Sequence, residues 1–292
     1  MPQGISLHLG LNSYDPNHYG DSGDLAACEN DAHSMHNLAK AAGFNALPPL
    51  LTAQATTRNF VTNIQNAART LESGDVFMLT YSGHGGQVWD YSGDEAKDED
   101  ASIIYENLDG SDKIILEEGP KDETLCLYDR QFWDDEVFNQ LRQFKKGVRV
   151  IWITDCCHAA SNFKDIEGDE EVKVRGIGVD KGTDIWTQHQ VMYKDAWLGT
   201  VDSRSKDREL NCSLVQLAAC SASELARDGN INGLFTTHLL SVWNQGNFNG
   251  SYSSFLERIS LQVNAAQPDQ TPKLVIGGAS EADFQNQQPF SI

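Results

Sequence analysis

Apolar residues along the chain fall into short runs that alternate with stretches of helical spacing. Residues 5–9 (ISLHL) read as a strand. Ala32, Met35, Leu38, Ala39 and Ala42 recur at the spacing of an amphipathic helix, with Gly43 as its stop. Phe60, Ile64, Ala67, Ala68 and Leu71 predict a second helix behind the cap candidates Thr56 and Thr57. Residues 75–81 (DVFMLTY) form a strand pattern, and Asp134 or Asp135 opens a helix through Val137, Leu141 and Phe144. Residues 148–154 (VRVIWIT) are apolar nearly throughout, as a central parallel strand buried on both faces requires. A further strand pattern covers 213–219, helices are expected near 234–245 and 252–265, and a last strand falls around 273–276.

Between about 162 and 210 the periodicity fades into Asp, Glu, Lys and Gly, which predicts a long exposed loop. Strand–helix alternation on either side implies an α/β fold with a mostly parallel central sheet and helices on both faces. The expected organisation is one domain with three regions. Residues 1–165 form a first, site-bearing region, 166–211 an exposed linker, and 212–292 a second region that completes the sheet.

A length of 292 residues leaves room for a sizeable core. The formal net charge of −20 argues against nucleic acid or anionic membranes as partners; it is compatible with cationic substrates or bound cations, and equally with a charge that serves solubility. The start, Met1-Pro2-Gln3-Gly4-Ile5, lacks the basic-then-apolar pattern of a secretory leader. No run approaches the ~18 apolar residues that span a bilayer. Six cysteines without paired zinc-type or secreted-scaffold spacing suit a reducing compartment, so a cytoplasmic location is expected.

Two predicted strands end in reactive residues. Ser82-Gly83-His84-Gly85-Gly86 leaves one, and Asp155-Cys156-Cys157-His158 leaves the other. Ligands of open parallel sheets bind beyond the carboxyl ends of strands. If these two strands are neighbours, a thiol and an imidazole meet there. The imidazole would take the thiol proton and later return it to a leaving amine. The Gly85 amide is suitably placed to face a developing oxyanion. Zinc ligation by Cys156, Cys157, His158 and His84 is the alternative, weakened by adjacent cysteines and the lack of a second pair.

These motifs, in order along almost the whole chain, resemble those of the metacaspases and their prokaryotic relatives, the orthocaspases. Besides YSGHGG and DCCHA they include Ala27-Cys28-Glu29-Asn30-Asp31-Ala32, Gly93-Asp94-Glu95 and Trp133-Asp134-Asp135-Glu136. Leu217-Ala218-Ala219-Cys220-Ser221-Ala222, Gly233-Leu234-Phe235-Thr236 and Gln270-Thr271-Pro272 extend the likeness. The resemblance implies a caspase-like fold with large- and small-subunit regions. It implies a cysteine endopeptidase with Cys157 as nucleophile and His84 as base, cutting after Arg or Lys. It maps an acidic specificity pocket onto Cys28, Asp31, Ser82 and Asp155. Carboxylates there suit the planar fork of a guanidinium.

Calcium ligands of the family map onto Asp100, Asp134 and Asp135. Lys164 stands where a fourth aspartate is usual and Ala159-Ala160 replace Ser-Gly, which argues against a calcium requirement. Self-cleavage in the linker, as in a zymogen, is implied; Lys173, Arg175, Lys181, Lys194, Arg204, Lys206 and Arg208 are all candidates, and Arg175, between Val174 and Gly176, is favoured by a narrow margin. Protein or peptide substrates and a monomeric state are expected. The alternatives are an inactive caspase-like binding module, or a same-clan peptidase with another preference at the residue before the cut.

Overall fold

The computed structural model describes residues 1–89, 103–108, 111–116, 121–157, 173–198, 210–221, 224–278 and 284–292. In chain order its elements begin β1 (Gly4–Gly10), α1 (Pro16–Tyr19), α2 (Cys28–Ala41), β2 (Asn45–Ala46), β3 (Leu50–Leu51), α3 (Thr57–Thr70) and β4 (Val76–Ser82). There follow β5 (Gly85–Trp89), β6 (Ile103–Leu108), β7 (Ser111–Leu116), β8 (Lys121–Cys126), β9 (Gln131–Trp133), α4 (Asp134–Leu141) and β10 (Arg149–Asp155). The chain continues through α5 (Val179–Gln188), α6 (Gln190–Leu198), β11 (Ser213–Ala218), α7 (Leu234–Trp243), α8 (Tyr252–Ala266) and β12 (Lys273–Gly278).

The predicted strands pair side by side in one sheet of order β12-β11-β10-β4-β1-β2, with β3 also on β1. Every pairing is parallel except β11 with β12. The twofold alternation of a strand divides its side chains between two faces. Val76, Met78, Ile151, Ile153, Val215 and Leu217 face α2, α7 and α8, where Met35, Phe235, Leu239, Phe255 and Ile259 cover them. Phe77, Leu79, Val150 and Trp152 face the other way, onto Phe60 and Ile64 of α3 and Val137 and Leu141 of α4. Because β10 and β11 pair along their whole length, both halves of the chain share one core and one domain.

Thr56 caps α3 as its side chain predicts, accepting from the Asn59 amide at 3.3 Å. A separate antiparallel sheet, β5-β8-β9, and the hairpin β6-β7 were not anticipated from the sequence.

The expectation of an exposed, aperiodic linker over 166–211 fails where that region is described. Residues 173–177 lie extended in the cleft, and 179–198 form α5 and α6. Ile177, Ile185, Trp186 and Tyr193 pack with Tyr14, Tyr19, Val88, Cys126 and Trp133 in a third apolar cluster. Both helices are short, and the apolar residues of α6 run together rather than recurring along one face, so no helical period stands out.

Candidate active site

Strands β4 and β10 pair directly, with Ser82 opposite Asp155, so the loops that follow both strands leave the same edge of the sheet. The chain runs from β1 through α2 to β2 on one flank and then returns to β4 on the other. A crevice therefore opens at this reversal of strand order. The first turn of α2 brings Cys28 and Asp31 to it, β4 brings Ser82, and β10 brings Asp155. All four are buried.

Arg175 fills the space between them and is wholly enclosed, with 0% of its surface exposed. Nη2 donates to Asp31 Oδ2 at 2.7 Å and to Asp228 Oδ1 at 2.9 Å. Nη1 donates to Ser82 Oγ at 2.9 Å and lies 3.0 Å from Asp155 Oδ2. Each acid is also fixed by donors of the fold. Asp31 Oδ1 accepts from the Gly233 amide and the Asn232 side chain. Asp155 Oδ2 accepts from the amide and hydroxyl of Thr236. Burial opposes charge on the guanidinium, but Asp155, Cys28, Asp31 and Asp228 push its pKa well above the usual value. Burial pushes Asp155 up as well, against the pull of Arg175. The Cys28 thiol is driven to about 12, chiefly by burial.

The backbone on either side of Arg175 lies as an extended strand across the crevice. The Arg175 amide donates to the Ala226 carbonyl at 3.1 Å, and Ile177 N–H donates to the Gly85 carbonyl at 2.8 Å. Between them, the Arg175 carbonyl accepts from two amides, Cys157 at 2.8 Å and Gly85 at 3.0 Å. Two backbone donors converging on one carbonyl oxygen are the kind of arrangement that can hold a developing oxyanion. A side chain at position 85 would place its Cβ 2.0 Å from the Cys157 carbonyl oxygen, so only glycine allows this approach.

His84 Nε2 lies 2.8 Å from the Gly23 carbonyl oxygen. A carbonyl only accepts, so Nε2 carries the proton and Nδ1 is the basic nitrogen. Nδ1 is buried with no hydrogen-bond partner among the described residues. Tyr81 and Cys126 fix the His84 carbonyl at 2.6 and 2.9 Å. Burial lowers the imidazole pKa to about 4, while the backbones of Gly23 and Gly176 act in the opposite sense.

The Cys157 sulfur accepts from the Ala226 amide at 2.7 Å and its thiol donates to the Ala226 carbonyl at 3.3 Å. No hydrogen bond joins it to His84 among the described residues.

The crevice thus gathers Cys28, Asp31, Ser82, His84, Gly85, Asp155 and Cys157, and adds Arg175 as its occupant. Sequence reasoning placed Arg175 in an exposed linker. Arg175 is instead buried: a guanidinium reads as a solvent-seeking group, but three carboxylates neutralise it in the interior. Asp228, Gly233, and the backbones of Gly23 and Ala226 were missed. Asp228 sits in Arg227-Asp228-Gly229-Asn230, which reads as a turn, and a backbone carbonyl has no side-chain signature.

Asp134 and Asp135 lie apart from this crevice, in the first turn of α4, where acids suit the helix dipole. Asp100, like His158 and Lys164, falls outside the described residues. Among the described residues no three His, Cys, Asp or Glu side chains converge as a metal site. Asp134 and Asp135 therefore do not by themselves fit a calcium ion. All six cysteines are buried and none forms a disulfide. No helix among the described residues is long and apolar enough to cross a membrane.

A family model described as caspase domain, Peptidase_C14, matches residues 4–278. Metacaspase-1 of Saccharomyces cerevisiae strain S288c is 26% identical over 155 residues, covering 50% of this chain and 32% of that protein. Metacaspase-1 of Mycosarcoma maydis is 25% identical over 266 residues, covering 78% of this chain and 61% of that one. The chain thus spans between about a third and three-fifths of these relatives' own length. A crystal structure of a Geobacter sulfurreducens protein superposes with a TM-score of 0.80 at 34% identity, covering 99% of both chains.

Proposed function

This chain belongs to the caspase domain family, and from that premise we propose that it is a cysteine endopeptidase selective for a basic residue before the cut bond, with Arg175–Gly176 as its own first substrate. One observation carries the reading. Arg175 is seated as a substrate residue would be, its guanidinium among Asp31, Ser82, Asp155 and Asp228 and its carbonyl on the Gly85 and Cys157 amides.

In the reaction, the Cys157 thiol turns from Ala226 toward the Arg175 carbonyl carbon and loses its proton to His84 Nδ1. Sulfur adds to the carbon, and the Gly85 and Cys157 amides hold the oxyanion. The C–N bond to Gly176 then breaks, with the proton returning from His84 to the departing amine. Water hydrolyses the thioester, freeing the Arg175 carboxylate and the thiol. The Gly23 carbonyl holds the imidazole in the required tautomer throughout.

Until Arg175 leaves, the same contacts exclude other substrates, so the intact chain is a latent form. No step passes through calcium. Peptides varied only at the residue before the cut test this reading. Turnover of the Arg or Lys members, lost in Cys157→Ala and kept with chelator, is expected. Turnover only after Asn or Asp, or none in reduced processed protein with or without calcium, would refute it.

A further inference from the structure

Asp228 is the one acid of the crevice that reaches the middle of the guanidinium rather than its tip. Its Oδ1 lies 3.3 Å from Arg175 Nε and 2.9 Å from Nη2. No other described residue accepts from Nε. Asp31 meets only Nη2, while Ser82 and Asp155 meet only Nη1. The Asp228 carboxylate is itself held still, accepting from the Ala26 amide at 2.7 Å and the Ala27 amide at 3.3 Å. Its side chain is 3% exposed, so water does not substitute for a missing donor.

We propose that Asp228 makes this cleft choose arginine over lysine at the residue before the cut bond. The proposal rests on the reading that a substrate side chain sits where Arg175 sits. Counted outward from Cα, lysine has a methylene where arginine has Nε, and its ammonium falls where arginine has Cζ. A lysine therefore turns an apolar CH2 toward Asp228 Oδ1. One ammonium nitrogen also offers three donors from a single point, against five spread around a planar fork. It cannot meet Asp31 and Asp155 at the tip and Asp228 at the side together. The buried Asp228 carboxylate is then left with only its two backbone donors. A site that loses a buried polar partner rejects the deficient substrate far more strongly than one that loses a methylene.

The test uses the processed protein and three fluorogenic peptides that differ at one residue. They carry arginine, lysine, or an arginine isostere in which CH2 replaces Nε and the cationic amidine end is kept. The wild type is expected to show kcat/KM for arginine roughly tenfold or more above both others, as befits a lost charge-assisted hydrogen bond. In Asp228→Ala the arginine value falls most and both ratios shrink toward one. Equal turnover of arginine and isostere by the wild type would overturn the proposal, as would an equal fall for all three peptides in the variant. If Asp228→Ala does not fold, the isostere comparison in the wild type decides alone. Turnover of none of the three by the wild type is a different failure, which removes the parent reading and the proposal with it.

Discussion

The carbonyl oxygen of Arg175 lies 2.8 Å from the backbone nitrogen of Cys157, the residue whose sulfur hangs from the same Cα. A carbonyl held this way is polarised and fixed beside the proposed nucleophile. The sulfur nonetheless bonds to Ala226 rather than facing the carbonyl carbon. On the proposed reading the chain presents its own segment to Cys157 as a substrate would be presented, with the thiol still turned to Ala226.

Removing the occupant should separate its two roles. Arg175→Ala abolishes cleavage at 175–176 yet opens the pocket, so hydrolysis of added arginine peptides by the uncut chain should rise above that of an uncut wild-type sample. The same change leaves Asp31, Asp155 and Asp228 without their cation. Breaking a buried ion pair from one side costs roughly 3–5 kcal/mol, so a lower urea midpoint at pH 7 is expected. Unchanged peptide turnover in the variant would mean that Arg175 does not block the cleft.

Position 233 tests the shape of the pocket without touching its charge. Gly233 has an ordinary φ of −57° at the start of α7, so alanine is tolerated by the backbone. Its Cβ would nevertheless come within 2.4–2.5 Å of the guanidinium atoms of Arg175. Gly233→Ala should therefore keep its backbone, displace Arg175 and lower the melting temperature of the uncut chain, and in the processed protein raise KM for arginine peptides, with kcat/KM down roughly a hundredfold or more. Steady-state kinetics beside a thermal melt of the processed protein distinguishes this from global damage.

The His84 pKa predicts a pH effect of definite sign. The base must be neutral to accept the thiol proton, so the rate falls as pH drops through its pKa. In the intact chain burial, with the charges of Lys181 and Arg175, lowers that pKa to about 4, and departure of the segment would remove Arg175 and open the cleft to water. Self-cleavage of the fresh chain should therefore persist to about pH 4–5. Cleavage of added peptides after the segment leaves should lose activity at higher pH, nearer the ordinary histidine value of about 6.5. Coincident acid limbs for the two reactions would contradict this.

His8 makes a stability prediction independent of catalysis. It is fully buried in β1, with Thr80 Oγ1 and Ser6 Oγ each 2.9 Å from its ring nitrogens. Burial first, then His36, lowers its pKa to about 3. Its folded pKa lies below the unfolded one, so its contribution is complete above about 6.5 and is lost as pH falls toward 3. Between pH 7 and 4.5 this amounts to about 2–3 kcal/mol. Urea unfolding of Cys157→Ala should show that drop. Adding His8→Gln should shrink the drop by that amount and leave the part due to His84, whose pKa burial also lowers to about 4.

Much of this molecule was legible in its sequence because the strong signals were local. The run VRVIWIT becomes β10, Thr56 caps α3, and the reactive segments leave strand ends that prove to be neighbours. What escaped reading was non-local or carried by backbone. Strand β5 pairs with β8 across a sequence gap that no period reveals. Gly23 serves through a carbonyl that any residue possesses, and Asp228 acts from a turn 53 positions after Arg175. Arg175 itself was picked out for its chemistry and misplaced by its polarity. Charge predicts exposure only when no opposite charges wait inside.

The Arg175–Gly176 bond is the decisive one. Fresh wild-type protein, incubated reduced at neutral pH and followed by intact mass and N-terminal sequencing, should yield a fragment beginning Gly176-Ile177-Gly178, while Cys157→Ala stays whole. A wild-type chain that remains intact, or a cut at 175–176 that survives in Cys157→Ala, would contradict it.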